Sequence, residues 1–181
     1  MKPPPAISNR RRWCRRVLQA AGSLLSAPWL PAAASPPGAV ARPLLVPVTH
    51  ARGVLMAAAP ELPPTIKRVV YAANQLIGKP YQWGGGHQRV HDTGYDCSGA
   101  VSSILTQAGL MKGSKNCRGF LTFGRAGRGR WLTLYVNRGH IFMKLCGQVF
   151  DVGVSGRQTG PLWRLAGRST RNFQARHLPG C

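Results

Sequence analysis

The stretch Tyr81-Gln-Trp-Gly-Gly-Gly-His87, followed after a short loop by Gly94-Tyr-Asp-Cys-Ser-Gly99, decides how the rest of this chain is interpreted. Glycine lets the backbone bend sharply and approach another group closely. The apolar residues after Gly99 recur at three- and four-residue spacing as far as Gly109, where a helix would end. The pattern therefore predicts that Cys97 lies in the first turn of a helix.

A cysteine in the first turn of a helix lies near unpaired backbone N–H groups and the positive end of the helix macrodipole. Both favour the thiolate, which is the nucleophilic form of cysteine. The glycine-lined approach and the polar neighbours Asp96 and Ser98 favour a reactive Cys97. The alternative is a small, buried apolar thiol.

Charge is the unusual feature of the composition. The 181 residues include 25 Lys and Arg but four acids, for a net charge of +21. Without the six basic residues before Ser35, the remaining 19 against four acids still leave +15. Such a surface is expected to bind a polyanion, and a compositional bias towards Arg is the alternative. The 44% hydrophobic content is enough for an ordinary core and excludes global disorder.

Residues 1–34 are predicted to be an export signal. Basic residues in Arg10–Arg16 precede a short apolar stretch, Val17–Leu30, and Ala32-Ala33-Ala34 fits a signal cleavage site. The apolar stretch is too short and too interrupted by prolines to span a bilayer, and no later segment resembles a transmembrane helix. We therefore expect a periplasmic, cell-wall-associated or secreted protein with no transmembrane segment in the mature chain. A twin-arginine route and an uncleaved anchor are the alternatives.

Residues 35–64 are predicted to form a Pro/Ala-rich linker, because seven prolines exclude a regular helix. Thr65 is a good N-cap for a helix with apolar residues at helical spacing as far as Gly78. That helix leads directly into the glycine cluster. A single domain is therefore expected over residues 65–181.

Two strand-like runs follow the central helix, Trp131–Val136 and His140–Cys146, and a third segment returns over Gln148–Val152. The Arg/Gly-rich connection 111–130 and the tail 153–181 carry no pattern that assigns their structure. The sequence therefore predicts the middle of a small antiparallel sheet and leaves its edges open.

A cysteine nucleophile needs a base, and the base needs an orienting group. Of five histidines, His140 is favoured because it opens a strand after Gly139, where a rigid element can aim the ring into a cleft. His87 and His91 lie in the glycine-rich loop, where they are placed to touch a substrate. A solvated or core histidine is the ordinary alternative for each.

The orienting group is predicted from hairpin register. If Cys146 and Gly147 form a two-residue turn, Phe142 faces Asp151, and His140 lies diagonally from Asp151 on the same face. One extra loop residue would put Asp151 on the opposite face. A salt bridge to an arginine is the competing explanation for an acid in this apolar strand.

Three motifs together resemble the NlpC/P60 superfamily of cell-wall cysteine peptidases. They are Tyr81-x-Trp83-Gly84-Gly85, Asp96-Cys97-Ser98-Gly99 at the start of a helix, and Gly139-His140 at the start of a strand. The resemblance covers roughly Thr65 to Val152, about half of the chain. It implies a papain-like α+β fold, in which the nucleophile lies at a helix N-terminus packed on a small antiparallel sheet that carries the histidine.

The resemblance also implies roles for individual residues. Cys97 would be the nucleophile, His140 the base and Asp151 the group that orients His140, although the family more often has His, Asn or Gln at the third position. Residues of the same motifs are expected at the oxyanion or substrate site: Tyr81, Trp83, Asp96 and Ser98.

The implied reaction is hydrolysis of amide bonds in peptidoglycan stem peptides, whose free carboxylates suit a basic cleft. The expected partner is peptidoglycan or another anionic cell-wall polymer, and a monomer is expected. An acyltransferase and a catalytically silent wall- or polyanion-binding module are the alternatives. A specific nucleic-acid-binding domain is disfavoured, because no recognised motif supports it.

The remaining cysteines carry no metal pattern. Cys117, Cys146 and Cys181 lack close Cys/His spacing, so neither a metal nor another cofactor is expected. In an oxidising compartment two of these three are candidates for a disulfide, and the sequence does not select the pair.

Overall fold

The computed structural model describes residues 43–153 and 159–181. The predicted export signal, 1–34, and the first part of the predicted linker lie outside the described residues. Helices and antiparallel sheets are both present, which confirms the mixed α+β class. In neither described range is there a helix long and apolar enough to cross a membrane.

Two helices that precede the main sheet in the sequence pack against each other. They are α1, Pro64–Leu76, and α2, Cys97–Gln107; a short third helix, α3, spans Cys117–Phe120. The predicted N-cap at Thr65 is wrong, because α1 begins two residues earlier than that cap implies and its N-cap is Pro63, with no capping side chain. Proline is tolerated in the first turn, since its missing N–H would have no helical partner there.

The main sheet has six antiparallel strands in the order β3-β8-β4-β5-β6-β7. Their bounds are β3 Arg125–Ala126, β4 Leu132–Val136, β5 Ile141–Leu145, β6 Gln148–Asp151, β7 Leu162–Arg164 and β8 Gln174–His177. The three strands predicted from sequence are β4, β5 and β6, in the middle of this order. Helix α2 packs against β5, so the helix that begins at Cys97 lies beside the strand that follows His140.

The β5–β6 hairpin has the predicted two-residue turn. Cys146 and Gly147 have φ of 47° and 89°, as expected for a type I′ turn, which requires positive φ at both central residues. The register pairs Met143 with Phe150, and its continuation places Phe142 opposite Asp151. The predicted face of Asp151 is therefore confirmed.

The linker prediction is wrong for the second half of residues 35–64. Strands β1, Leu45–His50, and β2, Gly53–Ala58, form an antiparallel hairpin, and β2 packs on α1 and β7. Leu45 and Met56 are buried, and the Asn74 side chain bonds both the N–H and the C=O of Met56, at 3.0 and 2.8 Å. Proline does not exclude such a hairpin, because an edge strand can leave one N–H position unpaired.

Candidate active site

The site lies where five chain segments meet: the glycine-rich loop, the starts of α2 and α3, the turn before β5 and the residues that follow β6. A cavity of about 730 Å³ opens between them. Six of the seven residues predicted from sequence line it: Tyr81, Trp83, Asp96, Cys97, Ser98 and His140. The seventh, Asp151, lies behind His140 and contacts its ring.

Cys97 lies in the first turn of α2, as predicted, and is its first residue because the preceding Asp96 caps the helix. Oδ1 of Asp96 accepts a hydrogen bond from the backbone N–H of Gly99 at 2.7 Å. Oδ2 accepts from the N–H of Gly84 at 3.0 Å. One carboxylate therefore joins the start of the helix to the glycine cluster.

The glycine cluster also packs directly on the first turn of α2. The N–H of Asp96 donates to the carbonyl of Gly85 at 3.3 Å. A Cβ on Gly99 would lie much closer to that same carbonyl oxygen than van der Waals contact allows. The next residue of the cluster, Gly86, has a positive φ of 81°, which favours glycine. The predicted close backbone approach is therefore confirmed, and it holds the thiol of Cys97 at the cavity wall.

We expect Gly99→Ala to destabilise the fold by about 1–3 kcal/mol or more, because backbone on both sides must shift to admit the methyl group. The measurement is urea unfolding followed by circular dichroism. Gly119→Ala is the matched control: it holds the same position in the cap of α3, and its Cβ would meet the Lys115 Cβ at 3.3 Å. Equal destabilisation by the two substitutions would contradict the close packing at Gly99.

Cys97 and His140 perturb each other's protonation. The pKa of Cys97 is lowered to about 5, chiefly by a hydrogen bond from the Cys117 thiol and further by His140, against the opposing effect of burial. Burial alone would lower the pKa of His140, but hydrogen bonds and negative charge from Asp151 and Cys97 raise it to about 9. Between these values the pair is a thiolate and an imidazolium.

His140 is held by both its backbone and its ring. Its N–H donates to Oδ1 of Asn137 at 2.8 Å, and the Asn137 N–H donates to the His140 carbonyl at 2.9 Å. Ring Nε2 lies 2.9 Å from Oδ1 of Asp151. Since Nε2 faces Asp151, Nδ1 is the ring nitrogen available to Cys97.

Asp151 has both of the contacts that its position in the sequence suggested. Its side chain is fully buried, and Oδ1 also accepts from the Val152 N–H at 2.9 Å. Oδ2 is hydrogen-bonded to Arg168 and lies 3.6 Å from Nη1 of Arg164. The carboxylate therefore contacts His140 on one side and forms a salt bridge on the other.

The four predicted oxyanion or substrate residues differ in their exposure and in whether their polar groups are already hydrogen-bonded within the protein. Tyr81 lines the cavity, and burial, followed by the negative charges of Asp96 and Cys97, raises its pKa. Trp83 is 87% exposed at the cavity. Ser98 is buried and donates to Asp96 Oδ1 at 3.1 Å. Asp96 accepts several hydrogen bonds from within the protein, so its contacts serve to stabilise the local structure.

The two histidines of the glycine-rich loop, His87 and His91, differ in their position relative to the cavity. Nε2 of His87 lies 3.1 Å from both Asp96 Oδ1 and Ser98 Oγ, and the ring lines the cavity. His91 lies outside the lining of this cavity. Of these two histidines, only His87 is therefore placed to touch a ligand bound beside Cys97.

Sequence reasoning missed Cys117, whose sulfur lies 3.8 Å from that of Cys97. A signal was available: Asn116-Cys117-Arg118-Gly119 repeats the Asx-Cys-x-Gly pattern of Asp96–Gly99. Oδ1 of Asn116 caps α3 by accepting from the Gly119 N–H at 2.9 Å. Each thiol is thus the first residue of a capped helix. Cys97 therefore shares this position with a second thiol.

The arginines that contact Asp151 were also missed. Arg164 belongs to β7 and Arg168 follows it, both in the tail that the sequence left unassigned. The Arg168 guanidinium lies over the Phe142 ring, 4.7 Å from its centroid. No local pattern distinguishes these arginines from the many others, because it is the pairing of strands in the sheet that brings them close to Asp151.

We expect iodoacetamide to alkylate Cys97 ahead of Cys146 at pH 6. With a pKa of about 5, Cys97 is about 90% thiolate there, whereas burial raises the pKa of Cys146 to about 11, which leaves on the order of 1 in 10⁵ as thiolate. Peptide mass mapping measures each site, and the Cys97 rate should fall below pH 5 and plateau above it. Similar rates for both thiols in the native protein would contradict an activated Cys97.

The site combines a polarised thiolate, a protonated imidazole and a buried carboxylate beside an open cavity. This arrangement can attack an electrophilic carbonyl and protonate a leaving group. Across residues 43–153 and 159–181, no three His, Cys, Asp or Glu side chains are grouped to hold a metal ion. Comparisons with protein-family models and with curated proteins found no match to this chain.

Proposed function

We propose that the protein is an exported cysteine hydrolase that cleaves amide bonds in peptidoglycan stem peptides, with the papain-like fold of the NlpC/P60 superfamily. One observation carries the proposal: Cys97 and His140 interact at the cavity wall, and the buried Asp151 is hydrogen-bonded to His140 from behind. A thiolate, an imidazolium and a buried carboxylate in that order are the parts of a cysteine-hydrolase triad.

In the first step the Cys97 thiolate attacks the amide carbonyl and forms a tetrahedral oxyanion. The backbone N–H of Cys97, among the first N–H groups of α2, is one donor to this oxyanion. The Tyr81 hydroxyl is the second. Its raised pKa keeps it protonated, and therefore a donor, throughout the range in which the thiolate–imidazolium pair exists.

His140 then completes both halves of the reaction. Its imidazolium gives a proton to the leaving amine as the C–N bond breaks, which leaves a thioester on Cys97. The neutral ring next takes a proton from water as the water oxygen attacks the thioester carbonyl. The C–S bond then breaks, which releases the new carboxylic acid and restores the Cys97 thiolate and the His140 imidazolium. Asp151 keeps Nε2 occupied, so that Nδ1 stays directed at the thiol and the substrate.

The charge of the cavity favours a substrate with carboxylates. Arg118 and Arg138 line it, and the chain as a whole carries +21. Stem peptides carry free carboxylates, and an arginine binds a carboxylate through two parallel N–H groups. The predicted export signal at residues 1–34 is consistent with the same substrate, because peptidoglycan lies outside the cytoplasm.

The test is digestion of isolated peptidoglycan by the purified protein, followed by mass analysis of the released fragments. We expect new amine and carboxylate ends at one stem-peptide bond, with one water added for each bond broken. Binding to the peptidoglycan without fragment release would instead support the silent binding module. Products joined to an added amine or alcohol, in place of a free acid, would support the acyltransferase.

A further inference from the structure

The hydrolysis above uses a single thiol, yet a second one contacts it. We propose that Cys97 and Cys117 form a redox site, at which a hydroperoxide closes a reversible disulfide and thereby switches off the nucleophile. The inference rests on the proposed function only where it concerns activity, because the disulfide itself can form whether or not the protein is a hydrolase.

The geometry of the pair is close to that of a disulfide. The two sulfurs are 3.8 Å apart, and an S–S bond is about 2.0 Å long, so each sulfur has to move by about 0.9 Å. Rotation of the two side chains supplies a displacement of this size.

The chain between the two cysteines is tied so that they stay together. Ser102 of α2 binds both sides of Lys115, accepting from its N–H at 3.0 Å and donating to its carbonyl at 3.2 Å. The Ser114 hydroxyl donates to the carbonyl of His87 at 3.0 Å. These bonds tie the residues just before α3 to α2 and to the glycine-rich loop. The proximity of the sulfurs is therefore a property of the fold.

The pair is distinguished from the other described cysteines by access. Cys97 and Cys117 both line the 730 Å³ cavity, which admits a small oxidant. Cys146 lies in the β5–β6 turn and Cys181 is buried at the end of the chain, and neither lines that cavity. A peroxide entering the cavity meets the Cys97–Cys117 pair first.

The chemistry balances with a hydroperoxide as the two-electron oxidant. The Cys97 thiolate attacks one peroxide oxygen; an S–O bond forms, the O–O bond breaks, and the departing oxygen takes a proton from His140 to leave as water or an alcohol. Cys117 then attacks the Cys97 sulfur; the S–S bond forms, the S–O bond breaks, and the hydroxide leaves as water with the Cys117 proton. Two thiols have lost two electrons, and the peroxide has gained them.

The unequal protonation of the two thiols decides which one attacks the peroxide and which one then attacks the oxidised sulfur. Cys97 is the thiolate, while its hydrogen bond, together with burial, raises the pKa of Cys117. Oxidation of Cys97 removes the negative charge that kept Cys117 protonated. Cys117 then becomes a better nucleophile just when its attack is needed, and it removes the sulfenic acid before further oxidation to the irreversible sulfinic acid.

The experiment compares the full chain with Cys117→Ser and with the control Cys146→Ser, each reduced and then exposed to hydrogen peroxide. Free thiols are counted, and non-reducing peptide maps are read by mass. In the wild type and the control we expect a cross-linked Cys97–Cys117 peptide, lighter by two hydrogens. We expect each of them to lose more than about 90% of its own reduced activity and to recover it with dithiothreitol. In Cys117→Ser we expect no cross-link, a sulfinic acid at Cys97 and no recovery.

Wild-type protein that gives a sulfinic acid at Cys97, or a cross-link from Cys97 to Cys146 or Cys181, would overturn the proposal. Recovery of Cys117→Ser to the same extent as the wild type would also overturn it. The mass readout separates this inference from the proposed function. A Cys97–Cys117 cross-link in a protein that digests no peptidoglycan supports the redox site alone, whereas digestion without that cross-link removes the redox site alone.

Discussion

Replacement of Cys97 by alanine is expected to lower the rate of stem-peptide hydrolysis by about 10⁴-fold or more, because removal of a catalytic nucleophile leaves only binding and oxyanion stabilisation. The fold should persist, since Cys97 is half-buried and its deletion opens space onto an existing cavity. The measurement is the rate of fragment release from peptidoglycan at equal concentrations of folded protein, with circular dichroism to confirm folding.

Cys146→Ala is the matched control, because it removes another half-buried thiol outside the cavity and should leave the rate unchanged. A Cys97→Ala protein that retains a tenth or more of the wild-type rate would contradict the assignment of the nucleophile. The neighbouring Cys117 thiol would then be the next group to remove.

Replacement of Asp151 by alanine is expected to lower both stability and activity. The carboxylate is fully buried and contacts Arg168, Arg164 and His140, so its removal leaves cations without their partner. Breaking such a buried pair costs about 3–5 kcal/mol, which lowers Tm by about 10 °C or more for a domain of this size. Thermal unfolding followed by circular dichroism measures the effect, and Glu61→Gln is the control for loss of one exposed negative charge.

Asp151→Asn separates the orienting contact from the salt bridge. An amide oxygen can still accept the His140 hydrogen bond, so measurable activity should remain, while the arginines lose their counter-charge and part of the stability is lost. Either variant removes a negative charge that raises the pKa of His140, whereas burial, which lowers it, stays. The alkaline limb of the pH–rate profile, near pH 9 in the wild type, should therefore move to lower pH. An unmoved limb with reduced Tm would assign Asp151 a structural role only.

The contact between Cys117 and Cys97 bears on both the proposed hydrolysis and the proposed redox site. Its hydrogen bond is the largest influence lowering the pKa of Cys97, and the same contact brings the sulfurs within reach of a disulfide. A more reactive thiolate is also more readily oxidised. A thiol beside the nucleophile is therefore suited both to stabilise the thiolate and to rescue it after oxidation.

The sequence by itself determined the features that depend on neighbouring residues. The position of Cys97 in the first turn of α2 follows from the helical spacing of the apolar residues after Gly99, which spans only a few positions. The contact between His140 and Asp151 follows from the turn at Cys146-Gly147, because turn geometry and the two-residue strand period set the register of a short hairpin.

The tertiary structure alone decided the features that depend on the path of the chain. The β1–β2 hairpin, which contains one proline within the Pro/Ala-rich segment 35–64, is held by Asn74, 18 residues beyond Met56, and by packing on β7. Asp151 meets Arg168 because the connection from β7 to β8, which are separated by three strands in the sheet, carries Arg168 over Phe142. Cys117 meets Cys97 because the chain just before α3 is hydrogen-bonded to Ser102 of α2. Each contact joins residues that are distant in sequence, and local propensity carries no information about which distant partner a side chain will meet.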